Sequence, residues 1–168
     1  MPGHGRALFE LFARHDIRHV VYVPDAGHSE LIDLVTNDER FICTPLTTEE
    51  EGVAYLAGAW LGGERGALLM QSSGVGNCIN MLGLSETCRF PLLMFITMRG
   101  EWAEQNPWQH PMSRAVQPCL EAMNVIVQRA STADGLADTT EAAIEMAYAG
   151  DHAIAVLLGQ RLIGRKTW

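Results

Sequence analysis

Short apolar segments alternate with amphipathic segments along this chain. The apolar segments predict buried strands at 19–23, 41–44, 67–70, 92–96, 125–127 and 153–158, and the first of them is rich in β-branched residues. The segments between them carry apolar residues at helical spacing and predict helices at 6–15, 29–37, 49–61, 76–87, 116–123 and 132–148. Strands that alternate with helices form parallel sheets through right-handed crossovers. The pattern therefore predicts a single α/β domain over residues 1–168, with three α/β/α layers and a six-stranded, mostly parallel sheet.

Polar residues follow four of the predicted strands. They are Pro24-Asp25 after the first strand, Thr47 to Glu49 after the second, Gln71 to Asn77 after the third, and Arg99 to His110 after the fourth. Ligands of parallel sheets bind at the carboxyl ends of the strands. Because four separate loops converge there, we expect a functional site at this edge of the sheet.

Local signals mark the ends of several segments. Thr48 followed by Glu51 predicts a capping box at the start of the third helix, and Gly62 and Gly63 predict its end. The stretch 99–114 contains two prolines and two tryptophans, which predicts a loop over the surface. A short tail is expected after the last strand.

Glu49 and the loop 72–77 also have ordinary structural explanations. Glu49 could be a helix-start carboxylate that gains roughly 0.3–1 kcal/mol from the helix dipole. The loop 72–77 could cradle a phosphate with its backbone N–H groups, or it could simply be a tight strand-to-helix turn. It does not fit the dinucleotide-binding fingerprint, because Ile79 stands where the third glycine would be.

The remaining candidates are equally open at this level. His110 could donate a proton near pH 7, or it could be a solvated loop histidine. Asp25 could be a turn residue after Pro24. Arg99 could do no more than pair with Glu101.

Composition limits the class of protein. A net charge of −8 argues against a nucleic-acid binder, which needs a basic face. The four cysteines lack the spacing of a zinc site or a disulfide framework, and the histidines show no metal-binding spacing, so no metal ligand is predicted in this chain. No apolar run approaches a membrane span or a signal core. We expect a soluble, cytoplasmic protein that binds neither nucleic acid nor membrane.

Five segments together carry a family resemblance. They are Val23-Pro24-Asp25, Glu49 with Ala54 and Ala57-Gly58, Leu69 to Asn77, Arg99-Gly100-Glu101, and Gln109-His110. With these segments the chain resembles the pyrimidine-binding domain of thiamine-diphosphate-dependent 2-oxo acid decarboxylases. The resemblance is closest to the sulfopyruvate and phosphonopyruvate decarboxylase branch and spans nearly the whole chain.

The resemblance implies roles for particular residues. Glu49 is implied to hydrogen-bond the pyrimidine ring of the cofactor and to favour its imino form, while Asp25 and His110 are implied to handle protons as the product forms. The expected cofactor contacts are Glu49, Ser73, Gly74, Gly76 and Asn77. The expected contacts of the substrate's sulfonate or phosphonate are Arg99, Ser72 and Gln71.

The resemblance also implies a second domain that binds Mg²⁺ and the diphosphate through a Gly-Asp-Gly segment. Gly150-Asp151-His152 is the nearest match, and with 168 residues in the chain only 17 follow Asp151. We therefore expect the diphosphate-binding domain, and most of the hold on Mg²⁺, on a β subunit. The cofactor would lie between the subunits of an α/β hetero-oligomer, α2β2 or larger. The candidate interface segments are Arg89-Phe90-Pro91 and the stretch 102–108, because Arg and Trp are enriched at interfaces.

Several functions stay open at this stage. The split architecture favours the decarboxylation of sulfopyruvate to sulfoacetaldehyde and CO₂. Phosphonopyruvate is the alternative substrate, since both are small 2-oxo acids with a tetrahedral anion. The same cofactor could also serve a carboligase or a transferase. A non-catalytic anion-binding module with the same fold is the alternative outside enzymes.

Overall fold

The computed structural model describes residues 3–164, in which strands and helices alternate. The strands are β1 (Ile17–Tyr22), β2 (Ile42–Pro45), β3 (Arg65–Gln71), β4 (Leu92–Thr97), β5 (Ile126–Ala130) and β6 (Ala153–Leu158). The helices are α1 (His4–Arg14), α2 (Ser29–Thr36), α3 (Glu49–Leu61), α4 (Val75–Cys88), α5 (Gln109–Ala122), α6 (Ala133–Gly150) and α7 (Gln160–Ile163). Two short 3₁₀ turns, Ala26–His28 and Ser72–Gly74, lead into α2 and α4.

The six strands form one sheet in the order β2-β1-β3-β4-β6-β5, and every neighbouring pair is parallel. The predicted six-stranded α/β/α fold is therefore confirmed. From β1 the chain moves outward to β2, whereas from β3 it moves the opposite way to β4. This reversal makes a crevice at the carboxyl ends of β1 and β3, the usual ligand position in such sheets.

Apolar side chains fill both faces of the sheet. In β4, Leu93 and Phe95 face the layer of α1, α2 and α6, while Met94 and Ile96 face the layer of α3, α4 and α5. All four side chains are fully buried. A strand that is covered on both faces has to be apolar at every position, which is why β4 reads as a continuous apolar run.

One predicted segment is wrong in its extent. The surface loop predicted for residues 99–114 ends early, because α5 begins at Gln109. Pro111 is compatible with this start, since the N–H groups of the first helical turn have no acceptor inside the helix. After β6, the expected tail contains the short helix α7. Within residues 3–164, no helix is both long and apolar enough to cross a bilayer.

The predicted capping box at the start of α3 is also wrong. The Thr48 hydroxyl donates to the Glu50 carboxylate instead of capping the helix. The Glu51 carboxylate accepts from the backbone N–H of Thr47 at 2.9 Å, one residue further back than the motif requires. The end of the helix agrees with the prediction, because Gly62 is its C-cap and Gly63 has a φ of +83°.

Candidate active site

Glu49 lies at the first position of α3, and its side chain is turned inward. The residue is only 8% exposed. Its Oε2 accepts a hydrogen bond of 2.7 Å from Nδ2 of Asn77, which lies in the first turn of α4. Its Oε1 lies against Gly74, where an added Cβ would come within 2.3 Å of that oxygen. The carboxylate therefore needs a glycine at position 74, and the structure brings together three of the expected cofactor contacts.

Asp25 follows β1, and its carboxylate accepts hydrogen bonds from the last side chains of β3 and β4. Its Oδ1 accepts from Nε2 of Gln71 at 2.9 Å, and its Oδ2 accepts from the Thr97 hydroxyl at 2.5 Å. Oδ2 also accepts from the backbone N–H of Gly27 at 3.2 Å. The Ser73 hydroxyl donates to Oε1 of Gln71 at 3.0 Å. Asp25 is thus fixed at the crevice between β1 and β3.

The two carboxylates are linked through the 3₁₀ turn Ser72–Gly74. Ser73 at its centre belongs to the hydrogen-bond network of Asp25, while Gly74 at its end lies against Glu49. For the loop 72–77, the sequence left two interpretations open, a phosphate cradle and a simple turn. In the structure, the turn within this loop positions a carboxylate on either side.

Arg99 follows β4 and forms a buried ion pair with Glu104. Its Nε and Nη2 donate to the two carboxylate oxygens at 2.6 and 2.7 Å. The alternative that Arg99 pairs with Glu101 is wrong, because Glu101 pairs with Arg129. The hydrogen bonds from Arg99 hold the pKa of Glu104 well below its usual range and raise the pKa of Arg99. Both groups are therefore charged at any physiological pH.

Ser72 and Gln71, the other two expected substrate contacts, already have partners inside the protein. The Ser72 hydroxyl is fully buried and accepts from the backbone N–H of Arg99 at 3.2 Å. Gln71 bonds Asp25 and Ser73. In the structure, Ser72 positions Arg99, and Gln71 positions Asp25.

His110 lies in the first turn of α5, not in a loop as the sequence predicted. Its Nδ1–H donates to the carbonyl oxygen of Gly100 at 3.0 Å, since a carbonyl can only accept. This contact fixes the tautomer of the neutral ring and leaves Nε2 as the atom that can take up or release a proton. Gly100 directly follows Arg99, so the imidazole lies beside the loop that carries the guanidinium.

A cavity of about 110 Å³ joins the Asp25 network to Arg99. Its lining consists of Asp25, Ala26, Gly27, Thr97, Arg99, Ile163 and Gly164. A larger and more apolar groove of about 710 Å³ runs past Ser73 and the start of α5. Trp108, which borders this groove, is 81% exposed and lies in the predicted interface segment 102–108.

His28 lies beneath this site and is not one of the predicted site residues. It is 1% exposed, and its Nε2–H donates to the carbonyl oxygen of Phe95 at 3.1 Å. Its Nδ1 is buried without a partner among the described residues. Burial lowers the pKa of His28 to about 4, against an opposing effect of the Asp25 charge. The ring is therefore neutral at pH 7.

Three side chains that organise the site were missed by the sequence reasoning. Thr97 binds Asp25, Glu104 binds Arg99, and Gln160 binds the loop that contains both Arg99 and Glu104. A signal for two of them was present, since Thr97 ends β4 and Gln160 comes shortly after β6 at the same edge. Glu104 lies within a polar stretch of the chain and has no such signal.

The N-terminal TPP-binding domain of thiamine pyrophosphate enzymes matches residues 4–120. Thiamine pyrophosphate and thiamine diphosphate are the same cofactor. The sulfopyruvate decarboxylase subunit alpha of Methanocaldococcus jannaschii is 32% identical over 152 residues, which are 90% of this chain and 90% of that one. A phosphonopyruvate decarboxylase of Streptomyces viridochromogenes is 36% identical over 104 residues, 61% of this chain and 26% of that one.

A solved structure shows the same fold in a longer chain. It is the 2-oxoglutarate:ferredoxin oxidoreductase of Magnetococcus marinus with 2-oxoglutarate, coenzyme A and succinyl-CoA bound. The TM-score is 0.77 at 14% identity, and the match covers 96% of this chain and 29% of that one. At this identity the similarity concerns the fold.

This chain belongs to the thiamine pyrophosphate enzymes, as their N-terminal TPP-binding domain. Within them, its resemblance to the sulfopyruvate and phosphonopyruvate decarboxylases is confirmed.

The site residues can be tested against this cofactor by their chemistry. The carboxylate of Glu49 is buried, accepts a hydrogen bond from Asn77 at Oε2 and lies against Gly74 with Oε1. A carboxylate is also the acceptor that a ring N–H needs. The residues present therefore fit the pyrimidine end of the cofactor.

Proposed function

We propose that this chain is the α subunit of a thiamine-diphosphate-dependent decarboxylase that converts sulfopyruvate to sulfoacetaldehyde and CO₂. The observation that carries the proposal is the 32% identity, over 90% of both chains, to a protein named sulfopyruvate decarboxylase subunit alpha. The match to the phosphonopyruvate decarboxylase is confined to 26% of that chain. Phosphonopyruvate is therefore the second candidate substrate.

The reaction exchanges one group on the 2-oxo carbon. The carboxylate leaves as CO₂, and a proton takes its place to give the aldehyde. Bound thiamine diphosphate supplies the electron sink for breaking the carbon–carbon bond. The tasks of the protein are to orient the cofactor and substrate, to exclude water and to move protons.

Glu49 holds the pyrimidine end of the cofactor in this proposal. Its Oε1, beside Gly74, accepts from the ring, while Asn77 fixes the other oxygen. Ser73, in the turn Ser72–Gly74, and Gly76, in the first turn of α4, complete the cofactor contacts. A hydrogen bond to a charged acceptor is stronger in a site of low dielectric, so the burial of Glu49 favours the protonated ring nitrogen.

Asp25 and His110 deliver and remove protons at the reacting carbon. Three hydrogen bonds fix the carboxylate of Asp25 at the crevice, and the Gly100 carbonyl leaves Nε2 of His110 available for proton transfer. Arg99 attracts the sulfonate from the wall of the cavity that it shares with Asp25. Its Nε and Nη2 bind Glu104, so we assign the contact with the sulfonate to Nη1, with Ser72 and Gln71 positioning the site around it.

The diphosphate end of the cofactor and Mg²⁺ are assigned mainly to a β subunit. The name of the relative, subunit alpha, implies a partner for that protein. In this chain, the exposed Trp108 beside the apolar groove gives such a partner a surface to cover. We propose a cytoplasmic α/β hetero-oligomer.

The test is to co-purify the chain with its β subunit, add thiamine diphosphate and Mg²⁺, and assay a panel of 3-substituted pyruvates. Sulfoacetaldehyde and CO₂ in equal amounts are the expected products. Faster turnover of phosphonopyruvate than of sulfopyruvate would make phosphonopyruvate the first candidate substrate. A product with a new carbon–carbon bond would indicate a carboligase. A chain that stays monomeric beside the β subunit and catalyses nothing would contradict the proposal.

A further inference from the structure

Gln160 makes all of its side-chain hydrogen bonds to the loop that follows β4. It is the first residue of α7 and is 1% exposed. Its Oε1 accepts from the backbone N–H groups of Glu101 and Trp102, both at 2.9 Å. Its Nε2 donates to Oε2 of Glu104 at 3.1 Å. The amide thus acts as an acceptor and a donor toward one loop, and neither an acid nor an apolar side chain could do both at pH 7.

Glu104, which accepts a hydrogen bond from Gln160, in turn fixes the position of Arg99. Its carboxylate accepts five hydrogen bonds, from Arg99 Nε and Nη2, from the N–H groups of Gly100 and Asn106, and from Gln160. The Glu104 side chain is 3% exposed. A bidentate pair fixes both the position and the plane of a guanidinium, so the location of the Glu104 carboxylate determines where Arg99 points.

The helix that carries Gln160 also forms part of the cavity beside Arg99. Ile163 and the following Gly164 line the cavity together with Asp25 and Arg99. A backbone group also joins this helix to the loop after β4, since the N–H of Gln160 donates to Oε2 of Glu101 at 3.2 Å. These residues lie beyond 4–120, the part that matches the family domain.

We infer that Gln160 is a positioning residue for recognition of the substrate's second anionic group. Through Glu104 it holds Arg99 at the wall of the cavity, so that the guanidinium meets the sulfonate or phosphonate without first having to be ordered. This inference rests on the proposed function, in which Arg99 binds that anion. It adds the C-terminal helix to the substrate site.

The test measures KM and kcat for sulfopyruvate in the complex with the β subunit. In Gln160→Glu, a carboxylate faces Glu104 where an N–H now donates, and we expect KM to rise about tenfold with kcat changed by less than about threefold. In Gln160→Met, the loss of the same hydrogen bonds without added charge should raise KM by about threefold to tenfold. Because KM does not depend on the amount of active complex, partial unfolding cannot imitate the effect.

Gln117→Glu is the matched control, since it introduces the same charge at an exposed position of α5, outside the candidate interface segment 102–108. Its KM should stay within about twofold of the wild-type value, because an exposed charge contributes little.

The possible failures are distinguishable. An active wild-type complex whose KM is unaffected by both substitutions at position 160 overturns the inference and leaves the proposed function intact. Failure of both variants, but not of the control, to assemble with the β subunit overturns it in favour of a purely structural role. A wild-type complex that turns over no 2-oxo acid refutes the proposed function, and this inference with it.

Discussion

Mild acid is expected to destabilise the fold through His28. The ring is fully buried, and its pKa is about 4 against an ordinary value of 6.5. Between these two values the unfolded chain binds a proton that the folded chain excludes, so stability is complete above about pH 6.5 and falls as the pH drops toward about 4. The difference of about 2.5 pKa units corresponds to a total loss of about 3 kcal/mol, of which about 2 kcal/mol is lost by pH 5.

Urea unfolding of the chain at pH 7.5 and pH 5 measures this effect. The informative quantity is the change in unfolding free energy between the two pH values, compared with that of His28→Phe, because contributions of other groups cancel in the comparison. The substitution removes the donor to the Phe95 carbonyl at both pH values, and this cost cancels in the difference. We expect the pH-dependent loss in His28→Phe to be smaller than in the wild type by about 2 kcal/mol.

His152→Gln is the control, because His152 is exposed and its replacement should leave the full pH dependence. Equal losses of stability in the wild type and in His28→Phe would refute the reasoning. They would mean that His28 takes up its proton in the folded chain as readily as in the unfolded one.

Two further substitutions test the site's construction. Gly74→Ala places a Cβ within 2.3 Å of the buried carboxylate beside it and should weaken thiamine diphosphate binding to the complex by at least about tenfold, measured by fluorescence titration. Gly83→Ala, where a Cβ meets nothing within 4 Å, should leave binding unchanged. Glu104→Gln leaves the buried guanidinium of Arg99 without its counter-ion and should lower the free energy of urea unfolding by about 3 kcal/mol. Asp38→Asn, which breaks an exposed ion pair, should cost clearly less; equal costs would contradict the role of burial.

The fold could be predicted from the sequence because its strands are unusually clear. In a parallel sheet both faces are covered, so segments such as 92–96 are apolar throughout and stand out from the amphipathic helices. The error in the start of α5 has a physical reason. Pro111 normally signals a break, but in the first turn of a helix it removes an N–H that has no acceptor there.

The position of the site could also be predicted, but its internal contacts could not. The rule that ligands bind at the carboxyl ends of strands placed Asp25, Glu49 and Arg99 at one edge, as the structure does. The partner of Arg99 could not be predicted, because two acidic residues lie within five positions of it and only the path of the loop determines that Glu104 is the one reached. The contact of Gln160 with Glu101 spans 59 residues of sequence, so no local pattern could reveal it.

The central claim is that the Glu49 carboxylate holds the pyrimidine end of thiamine diphosphate. The most direct measurement is kcat for sulfopyruvate in complexes that contain Glu49→Gln or Glu50→Gln, with saturating cofactor and Mg²⁺. Both substitutions remove one charge from the first turn of α3, but only position 49 lies against Gly74. We predict a loss of about 10²–10⁴ in kcat for Glu49→Gln and a change of less than about twofold for Glu50→Gln. A Glu49→Gln complex that turns over at the wild-type rate would contradict the claim.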